Sequence, residues 1–183
     1  MVCFLRASLR RAEQNAGWLD IKLKSSASAY AFSLCLVVAL MCASCHNKAD
    51  DAKAADDAIR QQISRYTAAL DAADTGLASQ VWKTSGDVSF IHPMGHAHGW
   101  DEIKKFYDFF GSAFSERKLT ARDISVHING DAAWAEFYWH FVAKQRNDGA
   151  VVQTDGRETQ IYNKAGNQWR LVHVHYSSPA TPR

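Results

Sequence analysis

No cysteine follows Cys45, so the larger part of the 183-residue chain holds neither a disulfide nor a thiolate. Charge of neither sign is in excess: from His46 onward, 16 basic residues face 17 acidic ones. That balance excludes the dense basic face on which phosphate recognition depends. Glycine-rich phosphate loops are missing. Ser177 and Ser178 lie beside His175, but the segment has no nucleophile turn and no clear orienting acid, which argues against a serine hydrolase. Only three prolines occur, and residues are 47% apolar and 22% charged, a composition that excludes disorder as the main description. The length suits one folded domain.

The one long uncharged apolar run, residues 28–44, is too short for a confident membrane span of about 20 residues. Basic residues precede it (Arg6, Arg10, Arg11, Lys22 and Lys24, against Glu13 and Asp20) and polar residues follow, which is the layout of an export signal. Its end, Cys42-Ala43-Ser44-Cys45, resembles the lipobox of bacterial lipoproteins, with Cys42 where leucine is usual. The resemblance implies a lipid on Cys45 and a domain facing the periplasm. Cleavage to a soluble periplasmic protein and an uncleaved anchor are the alternatives, and all three place the domain outside the cytoplasm. The expected organisation is an export signal over 1–45, an acidic tether over 46–57, a folded domain over 58–179 and a tail over 180–183.

Within the domain, Ile59, Ile63, Tyr66 and Leu70 are spaced 4, 3 and 4, which predicts an amphipathic helix. Asp74-Thr75-Gly76 supplies a break and a cap for a short helix over Leu77–Trp82. Val88–His92 reads as a strand stopped by Pro93, with Gly95 and Gly99 in a turn. Ile103, Phe106, Phe110 and Phe114 predict a third helix, most simply with its phenylalanines in the core. From residue 119 the period becomes two. Strand-like runs at 119–129, 133–146, 150–164 and 168–177 are separated by Asn129-Gly130-Asp131, Asn147-Asp148-Gly149 and Ala165-Gly166-Asn167. Helices followed by an antiparallel meander predict an α+β fold, with the helices on one face of a curved sheet.

This order, with Ser64-Arg65-Tyr66 on the first helix, His92-Pro93-Met94-Gly95 after the first strand, and Trp169 through Ser177 reading WRLVHVHYS, resembles the SnoaL-like branch of the nuclear transport factor 2-like superfamily. It is similar in particular to the association domain of calcium/calmodulin-dependent protein kinase II. The likeness covers residues 55–179. It implies a cone: an antiparallel sheet wrapped around the long first helix, with a pocket at the wide end.

Alternation puts Ala135, Phe137, Trp139 and Phe141 with Val172, Val174 and Tyr176 on one face, and Trp134, Glu136, Tyr138 and His140 with Leu171, His173 and His175 on the other. The positions of Trp139, Gln160 and Tyr176 correspond to pocket arginines in the kinase domain, so the resemblance makes the first face the pocket. It also implies that the pocket here is aromatic and largely neutral, suited to flat or apolar ligands. The second face is expected to form a homodimer. Its Glu136, His140, His173 and His175 also permit a metal-cluster reading, with a hydrogen-bonded interface as the plainer alternative.

Aligned on Pro93 and Gly95, His92 falls where ketosteroid isomerases carry their catalytic aspartate, Tyr66 on their oxyanion tyrosine, and Asp155 near their second acid. A bulge at Gly156 would shift that last pairing. The candidate ligand-binding residues are thus Tyr66, His92, Trp139, Gln160 and Tyr176, and the candidate catalytic residues are His92, Tyr66 and Asp155. A neutral imidazole could move a proton beside a carbonyl while a buried phenol donates to the enolate oxygen. His92, His96 and His98 form the densest histidine segment and are the only metal candidates in that loop. No cofactor is expected. The expected function is small-molecule binding, with an isomerase-like or polyketide-cyclase-like enzyme, or a homo-oligomeric assembly module, as alternatives. No nucleic acid is expected as a partner, and the membrane only through the lipid anchor.

Overall fold

The computed structural model describes residues 49–178. The segments expected to be an export signal, a lipobox-like end with Cys45 and a tail lie outside them. Residues 52–178 belong to one compact unit. Among the described residues no helix is long and apolar enough to cross a membrane.

The first described helix, α1, spans 49–72. Its apolar stripe is buried as the spacing requires: Ile59, Ile63, Tyr66 and Leu70 are all at most 2% exposed. Its polar side carries two pairs four residues apart, Lys53 with Asp57 and Arg60 with Asp56, each at 2.6 Å. The helix stops at Ala73, which takes the left-handed conformation at φ 51 while Asp74 N–H donates back to the Ala69 carbonyl at 3.0 Å. Asp74 then caps α2 (Thr75–Val81): its Oδ1 accepts from the N–H groups of Gly76 and Leu77 at 2.7 and 3.0 Å.

Two short strands follow, β1 (Ser89–His92) and β2 (Gly95–His98), paired antiparallel across Pro93-Met94. The segment read as a turn from Gly95 to Gly99 is therefore mostly strand. Gly-His-Ala-His carries no β-branched residue to announce one, and pairing with β1 supplies the order. Gly99, at φ 76, heads α3 (Trp100–Ala113), and Asp101 and Glu102 sit in its first turn. The chain then passes into β3 (Phe114–Asn129), β4 (Ala132–Gln145), β5 (Val151–Ala165) and β6 (Gln168–Ser177).

The sheet has the order β2-β1-β6-β5-β4-β3 and does not close. Its neighbours are antiparallel except β1 and β6, which run parallel. This curved mixed sheet with three helices is the α+β architecture expected. The inner face packs on the α1 stripe and α3 to form one core.

Face assignment along β4 follows strict alternation: Ala133, Ala135, Phe137, Trp139, Phe141 and Ala143 are buried. Along β6 the expectation fails at one point. The β5–β6 register slips between Ile161 and Tyr162, which pair with His173 and Leu171 and leave Val172 as the extra residue. An extra residue reverses the faces before it, so Leu171 is buried rather than outward, with Trp169, Val174 and Tyr176 on the same inner side.

Candidate functional site

A cavity of about 320 Å³ opens between α3, the β1–β2 turn and the inner sheet face. Phe106, Phe109 and Phe110 of α3, Phe114 and Leu119 of β3, Trp139 and Phe141 of β4, and Tyr176 of β6 line it, and Leu70 of α1 closes it from below. Met94 and Phe109, both exposed, stand at its mouth. The helical phenylalanines therefore face a void as well as the core. Phe110 packs against Phe106 at 4.4 Å, Phe114 at 5.5 Å and Phe141 at 5.4 Å between ring centroids, and Trp139 lies 5.4 Å from Tyr176. The spacing of 3 and 4 could not tell the two roles apart, because a core face and a cavity face are equally apolar.

Trp139 keeps its position through two contacts. Its indole Nε1–H donates to the Arg157 carbonyl at 3.2 Å, and its ring lies over Gly156, where a Cβ would come within 2.5 Å of Trp139 Cζ2. Gly156 is thus the space the indole occupies. The β4–β5 register runs unbroken from Ala132–Asn163 to Lys144–Val151, so no bulge occurs there.

Behind Tyr176 the inner face becomes polar. The hydroxyls of Tyr66 and Tyr176 are 2.6 Å apart. Glu158, paired with Tyr176 across β5 and β6, is 2% exposed. Its Oε1 accepts from the Gln160 amide at 2.6 Å, and the Gln160 carbonyl oxygen accepts from the Tyr162 hydroxyl. Glu158 Oε2 is buried without a hydrogen-bond partner. Burial pushes the Glu158 carboxyl well above the ordinary carboxylate range, and its contacts with Gln160, Tyr66 and Tyr176 only partly oppose the shift. Burial likewise raises the phenols of Tyr66, Tyr162 and Tyr176 well above theirs.

Of the candidate ligand-binding residues, Trp139 and Tyr176 line the cavity, while Tyr66 and Gln160 lie in the polar cluster behind it. His92 is near the mouth: its ring packs on Phe90 at 5.0 Å and Phe106 at 4.9 Å, and its Nδ1 is buried without a partner. Burial first, and His96 second, lower its pKa, so the imidazole is neutral at physiological pH. Asp155 does not join the others. It is exposed on the outer face, 2.9 Å from His140 Nδ1, because an unbroken register puts it one residue out of phase with Gly156 and Glu158. The buried carboxyl near Tyr66 is Glu158, which sequence reasoning passed over. Its signal was there in the alternation Gly156, Glu158, Gln160, Tyr162, which places an acid on the face opposite to the one acids usually take.

The histidines do not converge. His92 turns inward, whereas His96 and His98 are exposed and pack together at 3.7 Å between ring centroids. On the outer face His140 is taken by Asp155, and His173 Nδ1 bonds Ser89 Oγ at 2.7 Å. Among the described residues no three His, Cys, Asp or Glu side chains are arranged to hold a metal.

Comparison with known proteins bears on fold and family. A family model described as a SnoaL-like domain matches residues 59–181. A solved nuclear transport factor 2-like superfamily protein from Salmonella enterica serovar Typhimurium is 44% identical, with a TM-score of 0.65 over 67% of this chain and 89% of that one. A proposed dehydratase of the same family from Streptomyces avermitilis is 18% identical, with a TM-score of 0.63 over 68% of this chain and 97% of its own. A hexachlorocyclohexane dehydrochlorinase, LinA type 2, is 13% identical, with a TM-score of 0.64 over 71% of this chain and 88% of its own. No curated protein sequence matches the chain.

Proposed function

Since the chain belongs to the SnoaL-like family within the nuclear transport factor 2-like superfamily, we propose that it binds a small, flat, largely apolar or aromatic molecule, and does so outside the cytoplasm. The observation that carries this is the aromatic cavity of about 320 Å³, a volume within the usual range for small-molecule sites. Trp139 and Tyr176 offer ring faces to such a ligand, and the phenylalanines of α3 close over it. Native mass spectrometry of the purified protein should reveal an organic adduct that disappears in Trp139→Ala while circular dichroism is unchanged. Equal occupancy in the variant would reject the pocket.

A second reading is acid–base catalysis in the same cavity, with His92 as base and Tyr66 as oxyanion donor. It is favoured by the unpaired Nδ1 of a neutral His92. The names of two structural neighbours, a proposed dehydratase and a dehydrochlorinase, are those of elimination enzymes. Turnover abolished by His92→Ala but not by Asp155→Ala would support it. Turnover indifferent to His92 would end it.

For partners and location, the exposed Trp134, Tyr138 and Ile161 on the outer face suit a homodimer, and Cys45 suits a lipid anchor. Sedimentation of Tyr138→Glu as a monomer would support the first, and release of Cys45→Ser from the membrane fraction the second. An unchanged dimer, or unchanged membrane retention, would refute the corresponding claim.

A further inference from the structure

Two imidazoles lie together on an exposed sheet edge although three do not meet. His96 and His98 flank Ala97 on β2. Successive side chains of a strand point to opposite faces, so burial of Ala97 sends both histidines outward, where they are exposed. Their rings stand 3.7 Å apart between centroids, and neither hydrogen-bonds to any described residue. The other outer-face histidines are placed differently. His127 contacts Ser125 Oγ, His140 is held by Asp155 and His173 by Ser89. His175 is separated from His96 by Ile91 of the intervening strand β1. Strand β2 ends the sheet, with β1 and β6 between it and the exposed Trp134, Tyr138 and Ile161 of β4 and β5, so the pair lies apart from the residues assigned to a homodimer.

We propose that His96 and His98 chelate one divalent first-row transition-metal ion, Cu2+ in preference to Ni2+ or Zn2+. Imidazole suits all three ions, and for a given set of nitrogens affinity peaks at Cu2+. A metal–nitrogen bond is about 2.1 Å long, so an ion that takes one nitrogen from each ring needs the rings side by side a few ångströms apart. The strand already provides that arrangement, and the exposed side chains can turn to complete it. A single residue links the two ligands, so little chain entropy is lost in bringing them together. The His98 N–H donates to Glu102 Oε2 at 2.7 Å, which ties this end of β2 to the first turn of α3 and sets a carboxylate beside the pair. Negative charge there favours a cation. On a helix, residues two apart do not face each other; the strand conformation of β2, more than the order His-Ala-His, makes the ligand pair. With two protein nitrogens, the remaining coordination positions belong to solvent.

The test is calorimetric titration of Cu2+ into the purified, untagged protein with its cysteines alkylated, so that thiolates, all at or before Cys45, do not compete. The tightest ion bound by the parent should show two imidazole nitrogens in its electron paramagnetic resonance spectrum. His96→Ala and His98→Ala should each weaken that ion at least tenfold and leave one nitrogen, since even loss of an outer-shell partner costs a metal site roughly ten- to hundredfold. His96→Gln and His98→Gln, which keep a polar side chain on the exposed strand, should give the same loss and replace any alanine variant that folds poorly. His127→Ala, on the same sheet face but paired with Ser125, should leave the affinity unchanged. Ni2+ and Zn2+ should bind the parent more weakly than Cu2+. Unaltered affinity in the variants of either histidine, or an equal loss in His127→Ala, means an adventitious ion only and overturns the site. Neither result touches the cavity, on which this site does not depend.

Discussion

The hydroxyls of Tyr66 and Tyr176 meet at 2.6 Å although the residues are 110 positions apart, one on α1 and the other on β6. This bond ties the central helix to the sheet at the inner end of the cavity. Replacing either residue by phenylalanine leaves the other hydroxyl unpaired in a buried site, which costs about 1–3 kcal/mol. Removing both hydroxyls removes the orphan too. The double variant should therefore be no less stable than the worse single one. Urea unfolding of the four proteins in a double-mutant cycle measures this, and strictly additive losses would mean that the phenols are not coupled.

Glu158 makes stability depend on pH in a direction opposite to that of a salt-bridged acid. Its folded pKa lies well above the unfolded one, so the native state holds a proton that the unfolded chain has lost. Its penalty is absent below the unfolded pKa, grows as pH rises above it by about 1.4 kcal/mol per pH unit, and levels off above the folded pKa. Glu158→Gln removes that slope. Chemical denaturation of both proteins across the acid to neutral range should show the variant gaining on the parent as pH rises. A constant difference would show that Glu158 ionises normally in the fold.

Asp155 and His140 form a bond of 2.9 Å on the outer face, both substantially exposed. Exposed pairs of this kind contribute less than about 1 kcal/mol. Asp155→Ala should therefore change stability by less than that and leave retention of a cavity ligand in native mass spectra unaltered. A lost adduct would place Asp155 in the binding machinery after all.

The contrast between Asp155 and Glu158 shows where the sequence was legible. Period and spacing located α1, α3 and the four long strands, because burial of one face imposes those repeats directly. The set Ala135, Phe137, Trp139 and Phe141 followed from alternation, and the family resemblance made it the inner one. Two kinds of information were not local. One was register: a single extra residue at Val172 reverses Leu171, and the absence of one at Gly156 sends Asp155 outward and Glu158 inward. The other was pairing across the chain. Strand β2 exists because β1 lies beside it, and β1 runs parallel to β6 more than 80 residues later, a relation that no window of sequence contains. The cavity was visible only as an excess of aromatic residues, since a void and a filled core draw on the same side chains.

Gly156 offers the sharpest test of the cavity's shape. A Cβ at this position would lie 2.5 Å from the Ser177 carbonyl oxygen and 2.5 Å from Trp139 Cζ2. The first neighbour is backbone in the paired strand β6 and has little freedom, so the strain must be relieved by the indole or by the sheet. Overpacking of this type costs about 1–3 kcal/mol. The indole borders open space on its cavity side, so moving it there is the easier relief, and it breaks the 3.2 Å bond from Nε1–H to the Arg157 carbonyl. Gly156→Ala should thus lose stability and cavity volume together, weakening the binding of 2-ethylnaphthalene, a flat apolar probe of the cavity, at least tenfold, about 1.4 kcal/mol. Trp139→Phe in the same background should restore stability, because a smaller ring vacates the position the methyl needs. Stability restored without any change in probe affinity would show that the Trp139 indole does not wall the binding site.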